Sequence, residues 1–306
     1  SSDLRAAWEL YRALRGIRPH VLHTHTPKAG ILGRVIGRMA GVPVVVNTCH
    51  GLWATREDRW VKRALVIGAE VVASQFSDAE LYQNDDDRQR LSRWVRQSKV
   101  KTVGNGIDLQ RFRRDEEGRA RVRAEWGIGP DEVVVGGVGR RVAEKGIAEF
   151  GHAARALADK ARFVWVGPDD PDKPDALREA EEGVHFVGFR DDMPAVYSAF
   201  DIFCLPSYRE GFSRSAMEAA ACGCALVLSD IRGCRELGSH GKDLLLVAAG
   251  DPAGIVTAAD RLIMRPDLRA SLGDAIGRRA AASFDQRQVA SCSWNTYRRV
   301  GQSCPT

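Results

Sequence analysis

Residues 208–223 of this 306-residue chain read YREGFSRSAMEAAACG, and they follow a short apolar run, DIFCLP, at residues 201–206. The apolar run has the length and residue types of a buried strand, and helical spacing begins near Ser213. A strand, a loop and a helix start therefore follow one another. Because Gly211 lets the backbone approach a ligand and a helix N-terminus favours an anion, this stretch predicts a phosphate site.

Two glutamates bracket the predicted phosphate site. Glu210 lies in the loop, and Glu218 is expected about two turns into the helix. A carboxylate can accept hydrogen bonds from two neighbouring hydroxyl groups, which suits a sugar. The same two residues could also be an acidic helix cap and a surface glutamate. From these two residues alone, the sugar-binding interpretation and the structural interpretation both stay open.

Short apolar segments alternate with helical spacing along the rest of the chain. This alternation predicts parallel, doubly wound sheets, whose ligands bind outside the carboxyl ends of the strands. The length is sufficient for two domains, each with its own core. A glycine-rich turn at Gly104 and Gly106 is followed by the densely charged residues 111–123, a change of composition that is compatible with a passage between two domains.

Some elements of the first domain have clearer patterns than others. Residues 1–20 predict an amphipathic helix that begins abruptly. The β-branched run at Glu70–Ser74 predicts a strand, and the charged run from Asp85 to Gln97 predicts a helix. The predicted strand VLHTHT at residues 21–26 ends in polar residues, and the predicted strand VPVVVNT at residues 42–48 leads into Cys49, His50 and Gly51.

The composition is typical of a reduced, cytoplasmic globular protein. Apolar residues make up 44% and charged residues 28%, and no apolar run approaches the length of a membrane span. No signal peptide is expected. The cysteines are odd in number, they mostly lie in apolar segments, and the close pair among them lacks the second pair of a zinc site. They are Cys49, Cys204, Cys222, Cys224, Cys234, Cys292 and Cys304.

The net charge of +5 is unevenly distributed. Residues 1–105 hold 17 Lys and Arg against 10 Asp and Glu, whereas the remainder holds 28 against 30. A basic half is compatible with an anionic membrane surface and equally with plain solvation. Nucleic acid is not expected, because no DNA- or RNA-binding motif accompanies the charge.

The segment GRRVAEKG at residues 139–146 carries two cations, Arg140 and Lys145. A dinucleotide fingerprint fits this segment poorly, because Val142 occupies the position of its third glycine. A Walker motif also fits poorly, because no Ser or Thr follows Lys145. The two cations suit a diphosphate without a metal. Asp170 and Asp172 have the letters of an acidic metal motif, but they lie in a proline-rich segment where a turn is the usual role.

Residues 186–230 closely resemble the donor-binding half of family 4 glycosyltransferases, and their paired-glutamate motif is that family's signature. GRRVAEKG resembles the family's diphosphate-binding loop, and HTHTPKAG at 23–30 and TCHG at 48–51 resemble its N-terminal domain. The resemblance implies the GT-B fold, with two Rossmann-like doubly wound parallel-sheet domains facing a cleft. It also implies that the first domain lacks its initial strand–helix units.

The same resemblance implies a division of labour between domains. Residues 1–105, joined by the helix 286–300, would form the acceptor-side domain, and residues 106–285 the nucleotide-sugar domain. Glu210 would hold sugar hydroxyls, Glu218 the ribose, and Phe189 and Arg190 would place the base against the backbone. The diphosphate would be held by Gly139, Arg140, Lys145, Gly211, Phe212 and Ser213.

Histidines at strand ends complete the expected site. By its match to the family's Thr-x-His-Gly, His50 would approach the donor sugar at the reacting face. His23, His25 and Thr26 are candidates for the acceptor side. The catalytic group implied is thus His50, Arg140, Lys145 and Glu210.

The expected activity is transfer of a sugar from a nucleotide donor, UDP-linked, to a hydroxyl acceptor with retention at the anomeric carbon. Neither a cofactor nor a metal is expected. Surface polysaccharide or lipid-linked oligosaccharide synthesis at the inner face of a membrane fits the basic N-terminal half. Two alternatives remain, namely an inactive donor-binding remnant and a nucleotide-sugar epimerase of the same fold.

Overall fold

The computed structural model describes residues 2–54, 58–177 and 181–302. The chain forms two compact units, one made of Ser1–Asn105 and Arg287–Thr306 and the other of Gly106–Gln286. Each unit is built on a parallel sheet, as the alternating pattern predicts. Cys304 lies outside the described residues.

The described part of the first unit has a four-stranded sheet in the order β1-β2-β3-β4. Successive parallel strands are connected through helices, so the polar carboxyl ends of the strands lie at one edge. The strands are β1 (Val21–His25), β2 (Val44–Cys49), β3 (Ala79–Tyr82) and β4 (Val100–Thr102), and the helices are α1 (Ser2–Ile17), α2 (Pro27–Met39), α3 (Trp60–Ala73) and α4 (Asp85–Leu91).

The described part of the second unit has a six-stranded parallel sheet in the order β10-β9-β8-β5-β6-β7. The strands are β5 (Val134–Val138), β6 (Arg162–Val166), β7 (Val184–Gly188), β8 (Ile202–Leu205), β9 (Ala225–Ser229) and β10 (Leu245–Val247). The helices are α5 (Glu116–Glu125), α6 (Ile147–Ala156), α7 (Met193–Ala199), α8 (Arg214–Ala221), α9 (Arg232–Arg235), α10 (Pro252–Ile263) and α11 (Pro266–Ser283).

Strand order decides where this second sheet can bind a ligand. From β5 the chain continues outward to β6 and β7, and then returns to the other side of β5 with β8. The order therefore reverses between β5 and β8, and ligands bind outside the carboxyl ends of strands at such a switch point. The loops after these two strands are the ones that carry Lys145 and Glu210.

The final helix, α12 (Gln286–Gln302), belongs to the first unit. Its Tyr297 and Val300 pack against the cluster formed by Val44, Val46 and Leu81 of the sheet. No helix among the described residues has the length and apolar content that a membrane span requires.

Two sequence-based predictions in the first unit are wrong. Residues 70–74 are not a strand, because they end α3 and enter a 3-10 turn at Ser74–Phe76. The strand is instead β3, whose central Glu80 conceals its strand character in the sequence. The helix predicted from Asp85 to Gln97 ends at Leu91, where a turn and then a 3-10 turn at Gln97–Lys99 follow.

The misassigned Glu70 belongs to a buried polar network centred on Arg34. The Arg34 guanidinium, 1% exposed, donates to Glu70 Oε2 at 2.5 Å and to Glu80 Oε1 at 2.9 Å. Glu80 also accepts from Asn47 Nδ2 at 2.9 Å and from the Ser77 hydroxyl at 2.5 Å. Burial raises the pKa of Glu70 even though Arg34 opposes the shift. The network joins α2, α3 and β3. Residue 70 therefore lies on α3, from which the Glu70 side chain reaches Arg34 in the core.

Replacing Arg34 by Met should destabilise the first unit by about 3–5 kcal/mol, because two buried carboxylates lose their cation. Urea denaturation followed by circular dichroism measures the loss. The matched control is Arg38→Met, which breaks the half-exposed Arg38–Asp78 bridge and should cost about 1 kcal/mol or less. Equal losses in the two variants would show that the buried network contributes no more to the free energy of unfolding than the half-exposed bridge does.

Candidate active site

Two loops meet at the switch point of the second sheet, and a glycine permits their contact. Gly146 adopts a φ of 71°, and a Cβ atom there would lie 2.1 Å from the carbonyl oxygen of Pro206. The amide of Tyr208 donates to the carbonyl of Glu144 at 2.9 Å. The loop after β5 is therefore fixed against the loop after β8, and only glycine fits at their closest point.

Lys145 and Glu210 form an ion pair between these two loops. Lys145 Nζ lies 2.7 Å from Glu210 Oε1, and both side chains are largely buried, at 18% and 12% exposure. The Ser207 hydroxyl donates to the same carboxylate oxygen at 2.9 Å. The stem of Lys145 packs on Gly139, where an added Cβ would meet it at 3.4 Å. The structure thus brings three predicted site residues together and adds Ser207.

Arg140 lies beside this pair in sequence but has another partner. Its Nη1 atom is 2.5 Å from Asp170 Oδ2, and its side chain is about half exposed, at 46%. Asp170 therefore pairs with an arginine, while Asp172 is exposed. In the described ranges no group of three or more His, Cys, Asp or Glu residues has an arrangement able to hold a metal ion.

The start of α8 lies where the sequence places it. Ser213 is the N-cap, and its buried hydroxyl accepts from the amide of Ala216. Behind the loop, a Cβ on Gly233 would lie 2.5 Å from the carbonyl oxygen of Glu210. Phe212 packs edge-on against Phe284 at 6.0 Å between ring centroids. The backbone from Glu210 to the helix start is thereby held between α9 and the end of α11.

Glu218 lies on α8 a little over one turn after Arg214, so the expected two turns are wrong. Its Oε2 atom accepts from the Tyr197 hydroxyl at 2.9 Å, and Arg214 Nη2 lies 3.9 Å from its other oxygen. Burial raises the pKa of this carboxyl group, and the tyrosine hydrogen bond opposes the shift. Tyr197 was not predicted, because its sequence position in α7 carries no sign of a polar contact 21 residues later.

Phe189 and Arg190 follow β7, at the edge of the same sheet. Phe189 is 67% exposed. Among described residues, the Arg190 guanidinium bonds Asp192 at 2.8 Å and Glu125 at 3.0 Å rather than either central loop. Their assignment to the nucleotide base concerns the backbone and stays a prediction.

In the first unit the structure gathers the predicted histidines at the carboxyl ends of β1 and β2. His25 Nδ1 lies 2.8 Å from His50 Nε2, and the His23 and His25 rings are 4.2 Å apart between centroids. His23 Nε2 pairs with the Thr48 hydroxyl at 2.7 Å, and its Nδ1 with the Tyr297 hydroxyl at 2.5 Å. We call His23, His25 and His50 the histidine cluster.

Thr26 follows the cluster with a φ of 69° immediately before Pro27, the first residue of α2. Left-handed backbone is uncommon for a residue with a branched Cβ. Thr26 thus forms the sharp turn between β1 and α2.

Burial sets the charge of the histidine cluster. It lowers the pKa of His23 to about 4, helped by the nearby His25 and His50. Burial is also the main cause that lowers the pKa values of His25 and His50. Near pH 7 the cluster is therefore neutral, and it can both donate and accept hydrogen bonds.

An NMR titration of the histidine ring protons should show His23 gaining its proton at about pH 4 rather than near 6.5, because burial disfavours the imidazolium. Since unfolded His23 binds the proton first, the unit should lose stability as pH falls from about 6.5 to 4. Titration of His23 near 6.5 would disprove the burial argument.

Comparison with known proteins covers both units. The family description "Glycosyl transferase 4-like domain" matches residues 1–106, and "Glycosyl transferases group 1" matches residues 132–265. Together they span most of the chain. The chain belongs to the family 4 glycosyltransferases, which have the GT-B fold.

Two bacterial relatives are similar to this glycosyltransferase over most of its length. One is the UDP-Gal:alpha-D-GlcNAc-diphosphoundecaprenol alpha-1,3-galactosyltransferase of Escherichia coli, 27% identical over 85% of this chain and 70% of the relative. The other is the N,N'-diacetylbacillosaminyl-diphospho-undecaprenol alpha-1,3-N-acetylgalactosaminyltransferase of Campylobacter jejuni, 26% identical over 97% and 81%.

Solved structures share the fold. The Anabaena HepE crystal structure in complex with UDP has a TM-score of 0.83 at 20% identity, covering 95% of this chain and 81% of HepE. Sucrose-phosphate synthase from Thermosynechococcus elongatus has a TM-score of 0.79 at 24% identity, covering 92% and 74%. These likenesses show the two-domain α/β fold of this glycosyltransferase.

Proposed function

We propose that this glycosyltransferase moves a sugar from a UDP-linked donor to a hydroxyl group of a lipid-linked acceptor, with retention and without a metal ion. The observation that carries the proposal is the Lys145–Glu210 pair, which lies beside a capped helix start at the switch point of the second sheet. A cation and a helix N-terminus suit a diphosphate, and a carboxylate suits sugar hydroxyls.

The departing UDP carries the charge that the site must stabilise. As the sugar–phosphate bond breaks, negative charge grows on the diphosphate. Lys145 is held ready for it by Glu210, whose carboxylate also accepts from the Ser207 hydroxyl. Such preorganised stabilisation contributes about 3–4 kcal/mol per donor in other enzymes. Arg140, whose side chain is about half exposed, reaches the diphosphate by exchanging or sharing its partner Asp170.

The remaining roles are those that the family resemblance implies. Glu218, held by Tyr197, contacts the ribose. The neutral His50 donates or accepts hydrogen bonds to orient the sugar, and His23, His25 and Thr26 lie on the acceptor side. The acceptor hydroxyl passes its proton to the leaving phosphate on the same face of the sugar, which retains the anomeric configuration.

The relatives support the donor and acceptor classes. Both bacterial relatives are named for diphospho-undecaprenol acceptors, and the first also for UDP-galactose. HepE was crystallised with UDP and with UDP-glucose. We therefore place this chain in lipid-linked oligosaccharide or surface polysaccharide synthesis, where it acts at the inner face of a membrane.

Release of UDP from a panel of UDP-sugars, with synthetic polyprenyl diphosphate-sugar acceptors and EDTA present, tests the proposal. Lys145→Ala should lower kcat by about 10²- to 10³-fold, because its contact strengthens in the transition state. Glu218→Ala should raise KM and leave kcat nearly unchanged, because the ribose does not change during reaction.

The matched control is Arg209→Ala, since Arg209 is a cation on the neighbouring loop after β8 and pairs with Glu144 rather than with Glu210. It should change kcat by less than about threefold, the range of a surface ion pair. UDP binding without turnover on any donor would instead favour an inactive remnant, and a strict requirement for magnesium or manganese would contradict the charge assignment.

A further inference from the structure

Five aromatic or imidazole rings form a row in the first unit. Their order is Trp294, Tyr297, His23, His25 and His50, and successive ring centroids are 6.4, 5.5, 4.2 and 5.1 Å apart. Tyr297 and His23 are half-buried in the middle of the row, whereas Trp294, His25 and His50 are exposed. The row therefore continues the histidine cluster onto α12 and ends at an exposed indole.

The direction of α12 places Trp294 toward the carboxyl ends of the strands. A Cβ on Gly301, late in the helix, would lie 3.7 Å from Val44, the first residue of β2. Tyr297, one turn earlier, contacts His23 in the middle of β1. The helix therefore runs antiparallel to the strands. Trp294, three residues before Tyr297, lies about 4.5 Å further toward the edge where the strands end.

His25 takes the same step along the strand. It lies two residues after His23, on the same face of β1, and it is exposed. An exposed indole on α12 and an exposed imidazole on β1 thus lie beyond one shared contact, the Tyr297–His23 hydrogen bond. One turn before Trp294 the helix carries the exposed Ala290, whose side chain is too small to cover the indole.

The rings and polar atoms of this row suit a sugar. One face of a sugar ring consists of C–H bonds with partial positive charge, and the face of an aromatic ring carries the opposite partial charge. The edge of the sugar carries hydroxyl groups, which need partners that donate and accept hydrogen bonds. The neutral imidazoles of His25 and His50 do both. An acyl chain would instead offer these imidazoles no hydrogen bond, at a cost for each polar group that it buries.

We propose that Trp294 is the platform on which a sugar ring of the acceptor stacks, and that this sugar presents its hydroxyl groups to His25 and His50. The proposal rests on the proposed function and narrows its acceptor from any hydroxyl compound to one that carries a sugar ring. It also gives α12 a part in binding the acceptor. Trp294 contacts the sugar, and Tyr297 holds the His23 ring in place.

Fluorine NMR of the full chain labelled with 5-fluorotryptophan tests this contact without turnover. The signal lost in Trp294→Phe assigns Trp294, and the signal lost in Trp8→Phe assigns a matched reference. Trp8 is 60% exposed against 62% for Trp294, and each contacts a tyrosine three residues later on a helix of the first unit. The probes are synthetic short-chain polyprenyl diphosphates that bear one hexose or one N-acetylhexosamine, and the same diphosphate without a sugar.

We expect the Trp294 signal to shift with at least one sugar-bearing probe and to stay in place with the sugar-free one, while the Trp8 signal moves with none. A Trp294 signal that stays in place with every sugar would overturn the proposal. An equal shift with the sugar-free probe would overturn it too, because the indole would then contact the lipid chain. Since the signal needs no turnover, a failure to release UDP would count against the proposed function alone.

Calorimetric titration with the sugar-bearing probe that gives the largest shift measures what the platform contributes. Trp294→Ala should raise the Kd for this probe about three- to tenfold, because one aromatic stacking contact is lost, and should leave the Kd for UDP unchanged. Trp294→Tyr should keep most of the affinity, since its ring can still stack, whereas Trp8→Ala should change neither Kd. Equal losses in Trp294→Ala and Trp8→Ala, or a loss that Trp294→Tyr does not rescue, would contradict the stacking role.

Discussion

The ion pair between Lys145 and Glu210 is the contact on which the candidate site depends. It joins the loops after β5 and β8, which leave the sheet on opposite sides of its switch point. A largely buried pair gains little net stability, because both charges lose hydration. Its value lies in position, since it holds a cation at the place where a diphosphate would approach a helix start.

Buried polar groups serve two different purposes in this chain. The Arg34 network is closed, as its two carboxylates are satisfied by the guanidinium, Asn47 and Ser77. It fixes α2 and α3 against β3. The histidine cluster and Glu218 are instead partly buried groups whose pKa values are shifted by burial. Groups of this kind, at strand ends and helix starts, are typical of sites that bind a ligand.

The sequence predicts the parallel sheets and the helix start near Ser213, because these follow from local spacing. The prediction for residues 70–74 is wrong. Val71 and Val72 favour a strand locally, but the bond from Arg34, 36 residues earlier, requires Glu70 to lie on a helix. Lys145–Glu210 and Tyr197–Glu218 are likewise separated by 65 and 21 residues. Such pairs depend on which strands become neighbours, and no local pattern encodes that.

Calorimetric titration of UDP into the full chain in EDTA tests most directly whether protein cations replace a metal at this site. We expect binding without metal, unchanged when magnesium is added, and weakened about 10- to 100-fold by Lys145→Ala, since a hydrogen bond to a charged group contributes about 1.5–3 kcal/mol. Binding that appears only after magnesium or manganese is added, or that is equally tight in Lys145→Ala, would contradict the assignment of the diphosphate to Lys145.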